Sequence, residues 1–243
     1  MRLDKLLANM GIGSRKDVKA LLKKRKVLVN DVVVKDGAEQ VDPETDIITA
    51  SGKQIRYQKH YYIMLHKPKG VVSATTDDRD KTVIDLVRSD YGHVDLFPVG
   101  RLDKDTEGLL LLTNDGELAH QLTSPKKAVI KTYYATIDGT VTDTDIVLFR
   151  DGIVLDDGYT TKPAELRILQ AGKVSEITVA ISEGKYHQVK RMFAAVNKRV
   201  TYLKRLTMGS LQLDNQLALG KYRELTKDEL TYCKHLKKAA DIT

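Results

Sequence analysis

Two stretches of this chain concentrate side chains that could do chemistry. In FPVGRLDKDTEGLLLLTNDG, Phe97 to Gly116, the residues Arg101, Asp103, Lys104, Asp105 and Glu107 crowd five charges into seven positions, bounded by Gly100 and Gly108. Leu109–Leu112 then reads as a continuous apolar strand buried on both faces, with Asn114-Asp115-Gly116 as its turn. A glycine-flanked charged loop feeding a buried strand is one way for a rigid sheet to present reactive groups at its rim. A polar turn held by local ion pairs has the same composition. Carboxylates in such a loop could act as base or nucleophile, or Asp103 and Asp105 could form the acid/base pair of a hydrolase. In EGKYHQVKRMFAAV, Glu183 to Val196, Gly184 opens a loop and a helix begins near His187, with Val189, Met192, Phe193 and Val196 facing inward. Lys185, Lys190 and Arg191 gather at that helix start. Cations there oppose the helix dipole, so an anionic group nearby is needed to account for them. The six His are dispersed and suggest no metal-ligand cluster.

The elements that must position these groups fall into two parts. Leu3, Leu6, Leu7 and Met10 keep one apolar helical face, and Gly11 is the expected stop. Ser14 with Asp17 resembles a capping box, with Asp in place of Glu or Gln, before a second helix whose apolar residues are Val18, Leu21 and Leu22. The β-branched runs Val27–Val29 and Val32–Val34, separated by Asn30-Asp31, suit a hairpin. Val41 to Ile55 is expected to hold one final strand with loops, and the polar run 56–60 a linker. Beyond it the sequence predicts strands at Tyr61–Leu65, Leu109–Thr113, Thr132–Ile137, Ile153–Leu155, Ala164–Leu169 and Glu176–Ile181. Helices are expected at Leu118–Leu122, Asp143–Arg150 and Val189–Val196. With no regular βαβ rhythm, the pattern implies an α+β fold with a mixed, largely antiparallel sheet. Gly11–Gly13 is not a dinucleotide fingerprint, since it follows a helix and lacks a preceding strand and third glycine.

Charge is distributed unevenly. Residues 1–30 hold nine Lys/Arg against Asp4 and Asp17, a surplus equal to the chain's whole net charge of +7. A surplus confined to one end favours a polyanionic partner through counterion release, although a solvated basic helix face would also carry Lys. No apolar run approaches the ~20 residues needed to cross a bilayer. The start of the chain lacks the cleavage site of a secretory signal. The single Cys233 argues against a disulfide framework and a Cys-clustered zinc site, so a cytoplasmic address is expected.

The segment RLDKLLANMGIGSRKDVKALLKKRKVLVN resembles the small RNA-binding domain of ribosomal protein S4 and many RNA-modifying enzymes. That resemblance puts forward Arg15, Lys16, Lys19 and Lys23 as RNA contacts. It departs from the family where a glycine usually precedes the first strand (here Arg25 or Lys26) and where the hairpin carries Asn-Gly (here Asn30-Asp31). LHKPKG (Leu65–Gly70), GRLDKDTEGLLLLTNDG, Lys131-Thr132-Tyr133, TKPA (Thr161–Ala164) and EGKYHQVKRMFAAV occur in the order found in the RsuA family of ribosomal RNA pseudouridine synthases. The resemblance covers essentially the whole chain and is nearest to the branch acting on small-subunit (16S) rRNA.

It implies an S4-type domain at residues 1–58 and an α+β synthase domain at 61–243, with helices flanking the sheet. The reaction implied is isomerisation of uridine to pseudouridine without a cofactor, on rRNA or a pre-ribosomal particle, by a protein expected to be monomeric. Asp103 would be the catalytic aspartate, Tyr133 would lie against the uracil ring, and Lys190 would pair with the aspartate. Arg101 would help hold the site from which the uridine is extracted, while Lys185, His187 and Arg191 would face the RNA. Tyr134 competes with Tyr133, and the K-x-Y spacing favours Tyr133. Large-subunit (23S) specificity, a non-catalytic rRNA-binding assembly factor and the hydrolase stand as alternatives.

Overall fold

The computed structural model describes residues 1–238, which form two compact units. The first comprises Met1–Tyr61 with Val87–Leu96. Helices α1 (Leu3–Asn9), α2 (Arg15–Lys23) and the short α3 (Arg88–Tyr91) accompany strands β1 (Val27–Val29), β2 (Val32–Val33), β3 (Ile48–Ala50) and β4 (Lys53–Ile55), ordered β2-β1-β3-β4. Leu3, Leu6, Leu7, Val18 and Leu22 pack on Val27 and Ile48. Ser14 and Asp17 form the expected capping box, Ser14 N donating to Asp17 Oδ2 at 2.9 Å and Asp17 N to Ser14 Oγ at 3.3 Å. Such a cap is typically worth ~1 kcal/mol. The β1–β2 hairpin turns on Asn30 (φ 49°) and Asp31 (φ 64°), the doubly left-handed turn that matches strand twist. Asp31 therefore does the work of the usual glycine, as a short polar side chain tolerates this region.

The expectation of one strand between Val41 and Ile55 needs correction. Two are present, β3 and β4, reversing on Ser51 (φ 52°) and Gly52 (φ 80°). A Ser-Gly pair between short strands was the missed turn signal.

The second unit, Tyr62–Leu86 and Phe97 onward, is built on a mixed sheet. Its elements are β5 (Tyr62–Lys67), β6 (Phe97–Pro98), β7 (Glu107–Thr113), α4 (Gly116–Thr123), β8 (Lys131–Asp138), α5 (Asp143–Asp151), β9 (Glu165–Gln170) and β10 (Val174–Ile181). They are followed by α6 (Gln188–Ala195), β11 (Arg199–Met208), β12 (Leu211–Gln212), β13 (Tyr222–Glu224) and α7 (Lys227–Lys238). The main order is β13-β5-β7-β11-β8-β10-β9, with β6 on β7 and β12 on β11. Among the described residues every named strand pair here is antiparallel except β7–β11. Leu109–Leu112 is buried throughout, as the unbroken apolar run implies for a central strand. No described helix is long and apolar enough to cross a membrane.

Three expectations are corrected in this unit. Ile153–Leu155 makes only an isolated bridge, Val154 to Thr160, because Gly152 and Gly158, both at positive φ, fold it into a tight reversal. Asn114-Asp115-Gly116 is not a free turn: Asp115 Oδ1 accepts from Leu118 N at 3.2 Å and caps α4, which starts at Gly116. Strand β11 was not expected at all. Register shifts at Val200/Tyr202 and Arg205/Thr207 break its two-residue alternation, which hides it from a periodicity reading.

The parallel contact pairs Arg205 with Gly108, whose φ is +110°. A Cβ at Gly108 would run into the carbonyl oxygen and amide nitrogen of Arg205. Gly108→Ala is therefore expected to destabilise the protein by roughly 2–5 kcal/mol, from overpacking together with backbone strain. Chemical denaturation measures this, and a change below ~0.5 kcal/mol would refute the close-approach account.

Candidate active site

Asp103 lies in the loop between β6 and β7, and that loop is held from below by the end of β5. Lys67 is completely buried, and its ammonium donates to the carbonyls of Asp103 (3.0 Å), Thr106 (2.9 Å) and Pro68 (3.1 Å), with Lys104 O at 3.5 Å. Ser73 adds a reciprocal pair, its hydroxyl donating to Leu102 O at 2.8 Å and accepting from Leu102 N at 3.1 Å. Thr106 N donates to Asp103 O and Gly70 N to Lys104 O, so the charged segment is a closed turn. Burial lowers the Lys67 pKa to about 8, with the carboxylates of Asp103, Asp105 and Glu107 opposing the fall. LHKPKG thus supplies a positioning residue that residue-type reasoning did not single out; a charged side chain in an otherwise apolar strand was the available signal.

The second motif folds as a loop leading into α6. Glu183 is buried and accepts from Tyr159 Oη (2.7 Å), Lys162 N (3.0 Å) and Gln188 Nε2 (2.8 Å). Gln188 Oε1 in turn accepts from Lys185 N at 2.8 Å. Lys162 belongs to TKPA, so this motif also holds the loop in shape. His187 then enters the left-handed region (φ 48°), and Val189, Met192 and Phe193 turn inward as expected. Lys190, in the first turn, reaches both loop acids: Nζ donates to Asp103 Oδ2 at 2.8 Å and Asp105 Oδ1 at 2.6 Å. Burial opposes charge on Lys190, but the two carboxylates outweigh it and raise its pKa. Burial likewise opposes the carboxylate of Asp105, and Lys190 overcomes it, so its pKa falls.

The anions demanded by Lys190 and Arg191 are therefore the protein's own. Arg191 pairs with Asp157 Oδ2 at 2.7 Å and with Asp156, to which Nε donates at 2.6 Å.

A cleft of about 530 Å³ opens beside Asp103, lined in part by Arg101, Tyr133, Lys185 and His187. Tyr133 is buried apart from 8% of its surface, whereas Tyr134 points to the other sheet face and donates to Glu176 Oε2 at 2.7 Å. The tyrosine facing the cleft is thus Tyr133. His187 Nε2 stands 3.6 Å from Asp103 Oδ1, and its ring stacks on Tyr186 at 3.8 Å. Lys185 Nζ lies 4.3 Å over the Tyr159 ring, and Arg101 is exposed at the rim. Arg15, Lys16, Lys19 and Lys23 are exposed on α2 of the first unit, outside this cluster. Among the described residues no group of three or more His, Cys, Asp or Glu is placed to hold a metal.

The burial of Lys67 carries a pH consequence. Below about pH 8 it is an ammonium with three donors for the loop carbonyls; as pH rises through that value it loses one donor with its charge. Activity is expected to decline above about pH 8 in the wild type, while Lys67→Arg, which stays charged, moves that limb upward. An identical alkaline limb in the two proteins would refute this role.

A family model described as RNA pseudouridylate synthase matches residues 61–195, and the S4 domain matches residues 1–47. An uncharacterized RNA pseudouridine synthase from Bacillus subtilis (strain 168) is 51% identical over 232 residues, covering 95% of this chain and 97% of the relative. The ribosomal small subunit pseudouridine synthase A of Yersinia pestis is 40% identical over 231 residues, again 95% and 97% of the two chains. A crystal structure of a pseudouridylate synthase, 37% identical, superimposes with a TM-score of 0.67 and covers 96% of this chain and 99% of its own. Similarity of this extent, joined to the Asp103 loop and the α6 motif, assigns the chain to the RNA pseudouridylate synthase family: it is an RNA pseudouridine synthase, an isomerase, that carries an S4 domain over residues 1–47.

Proposed function

We propose that this enzyme isomerises uridine in small-subunit (16S) rRNA, with Asp103 as catalytic carboxylate, Lys190 as its counter-ion and Tyr133 against the uracil ring. The observation that carries the site is the 2.8 Å pairing of Asp103 with Lys190 at the edge of a cleft whose wall includes Tyr133. The substrate class draws support from relatives in Yersinia pestis and Vibrio cholerae named ribosomal small subunit pseudouridine synthase A, 40% and 41% identical over 231 residues.

The target uridine is extracted from its stack at a cost of a few kcal/mol, and stacking on an aromatic face recovers ~1–3 kcal/mol of it. Asp103, paired with Lys190, then acts at the sugar or the base while the uracil is detached, turned and rejoined through carbon. Arg101, Lys185 and His187 hold the flanking RNA at the cleft. Arg191 joins them only by exchanging its carboxylate partners for phosphate. Arg15, Lys16, Lys19 and Lys23 give residues 1–58 a separate grip on the RNA, and 61–243 carry the chemistry; two attachments to one RNA multiply affinity. The reading places a monomeric enzyme in the cytoplasm, acting on rRNA or a pre-ribosomal particle with no cofactor.

Asp103→Asn is expected to reduce pseudouridine formation at least about a thousandfold while RNA affinity stays within a few-fold. Mapping pseudouridine in both rRNAs, with and without the protein, reads the activity and the target together. A lost site in 23S rRNA alone would redirect the substrate, and a near-wild-type Asp103→Asn enzyme would remove the residue from its role. Replacing Arg15, Lys16, Lys19 and Lys23 together by Ala is expected to weaken rRNA binding and flatten its salt dependence, by ~0.7–0.9 per lost phosphate contact. An unchanged slope would exclude α2 from the interface.

A further inference from the structure

The floor of the cleft holds two cations for which the catalytic cluster has no use. Lys131 and Tyr133 are two residues apart on β8, and Arg205 lies directly across from Tyr133 on β11, so all three share one sheet face. Lys131 and Arg205 both line the cleft with Asp103. Neither makes an ion pair among the described residues. Lys131 Nζ donates only to Val129 O, at 2.9 Å, and Arg205 Nε to Leu109 O, at 2.8 Å. Arg205 is 2% exposed, and its Nη2 is buried with no partner. Burial, and secondarily the neighbouring Arg205, lower the Lys131 pKa. A buried guanidinium with an orphaned donor beside a half-buried ammonium is an unfavourable arrangement unless an anion completes it.

We propose that Lys131 and Arg205 form a cationic floor that stabilises the negative charge developing on the uracil ring as its bond to ribose breaks. The proposal rests on the isomerase reading above, with the ring against Tyr133. When the C1′–N1 bond breaks, its electron pair passes to N1 and spreads onto O2 and O4. C5 then bonds to C1′, the C5 proton leaves and N1 takes up a proton, so the sequence balances as an isomerisation with no co-reactant. Donors fixed beforehand where charge appears stabilise a transition state without reorganisation. The depth of Arg205 favours the ring over a phosphodiester, which keeps its solvent; the phosphate-facing cations are those at the rim.

The test uses the full-length enzyme in excess over small-subunit rRNA carrying [5-³H]uridine, free and assembled with small-subunit ribosomal proteins. Tritium is released when C5 loses its hydrogen, and filter binding of the same RNA gives Kd. Lys131→Met is expected to slow release at saturation by about a hundredfold, with Kd within about threefold and an unchanged salt slope. Lys131→Arg restores the rate to within about tenfold of wild type, and Arg205→Lys slows it in the same manner as Lys131→Met. An unchanged rate for Lys131→Met at saturation overturns the proposal. A loss confined to Kd with a shallower salt slope also overturns it, and identifies a phosphate as the ligand instead. No release by the wild type from small- or large-subunit rRNA would overturn the isomerase reading, and this inference with it; an active wild type with an indifferent Lys131→Met enzyme overturns this inference alone.

Discussion

The geometry of the site depends on one buried ammonium. Lys67 comes from a central strand, is wholly removed from water, and turns its donors toward the carbonyls of the Asp103 turn. An interior charge is tolerated only when its protons are satisfied, and here the acceptors belong to the segment that must be positioned. The loop cannot open without stranding the ammonium, so its conformation is coupled to the sheet. Asp103 is thus presented by a turn as constrained as the strand that follows it.

Around that turn, opposite charges are shared. Lys190 stands between Asp103 and Asp105 at 2.8 and 2.6 Å, so neither carboxylate has it alone. It is held there by α6, whose first turn is aimed by the Glu183–Gln188 network and the left-handed His187. Cations at a helix start are unfavourable for the helix by itself. Two pairs of aspartates, 103 with 105 and 156 with 157, remove the conflict by meeting Lys190 and Arg191 respectively. Local helix energetics are subordinated to the site, as is common where function and stability compete.

The sheet separates two environments along a single strand. Tyr133 faces the cleft with Lys131 and Arg205, while Tyr134 and Tyr202 meet edge to face on the other side, with Glu176 and Glu107 accepting from their hydroxyls. A one-residue slip of β8 would exchange these faces. Pairing of β8 with β10 on one side and β11 on the other fixes the register against that slip. Gly108 lets β7 approach β11 closely enough for Arg205 to reach Leu109 O, joining the cleft floor to the strand that follows the Asp103 loop.

Much of this was legible in the residue order because it is local. The capping box at Ser14, the two-residue hairpin at Asn30-Asp31, the buried Leu109–Leu112 strand and the inward face of α6 follow from spacing, and the ordered motifs identified the family. The second hairpin in the first unit and the bulged strand β11 escaped, one for its brevity and the other because register shifts erase its period. The Asp103–Lys190 pair was foreseen by resemblance, but its sharing with Asp105 was not, nor was the capture of Arg191 by Asp156 and Asp157. The sequence alone determined which groups are available and which short segments form. Only the tertiary structure decided which of them meet, because Asp103 and Lys190, or Lys67 and Thr106, are brought together by chain crossings that no local period encodes.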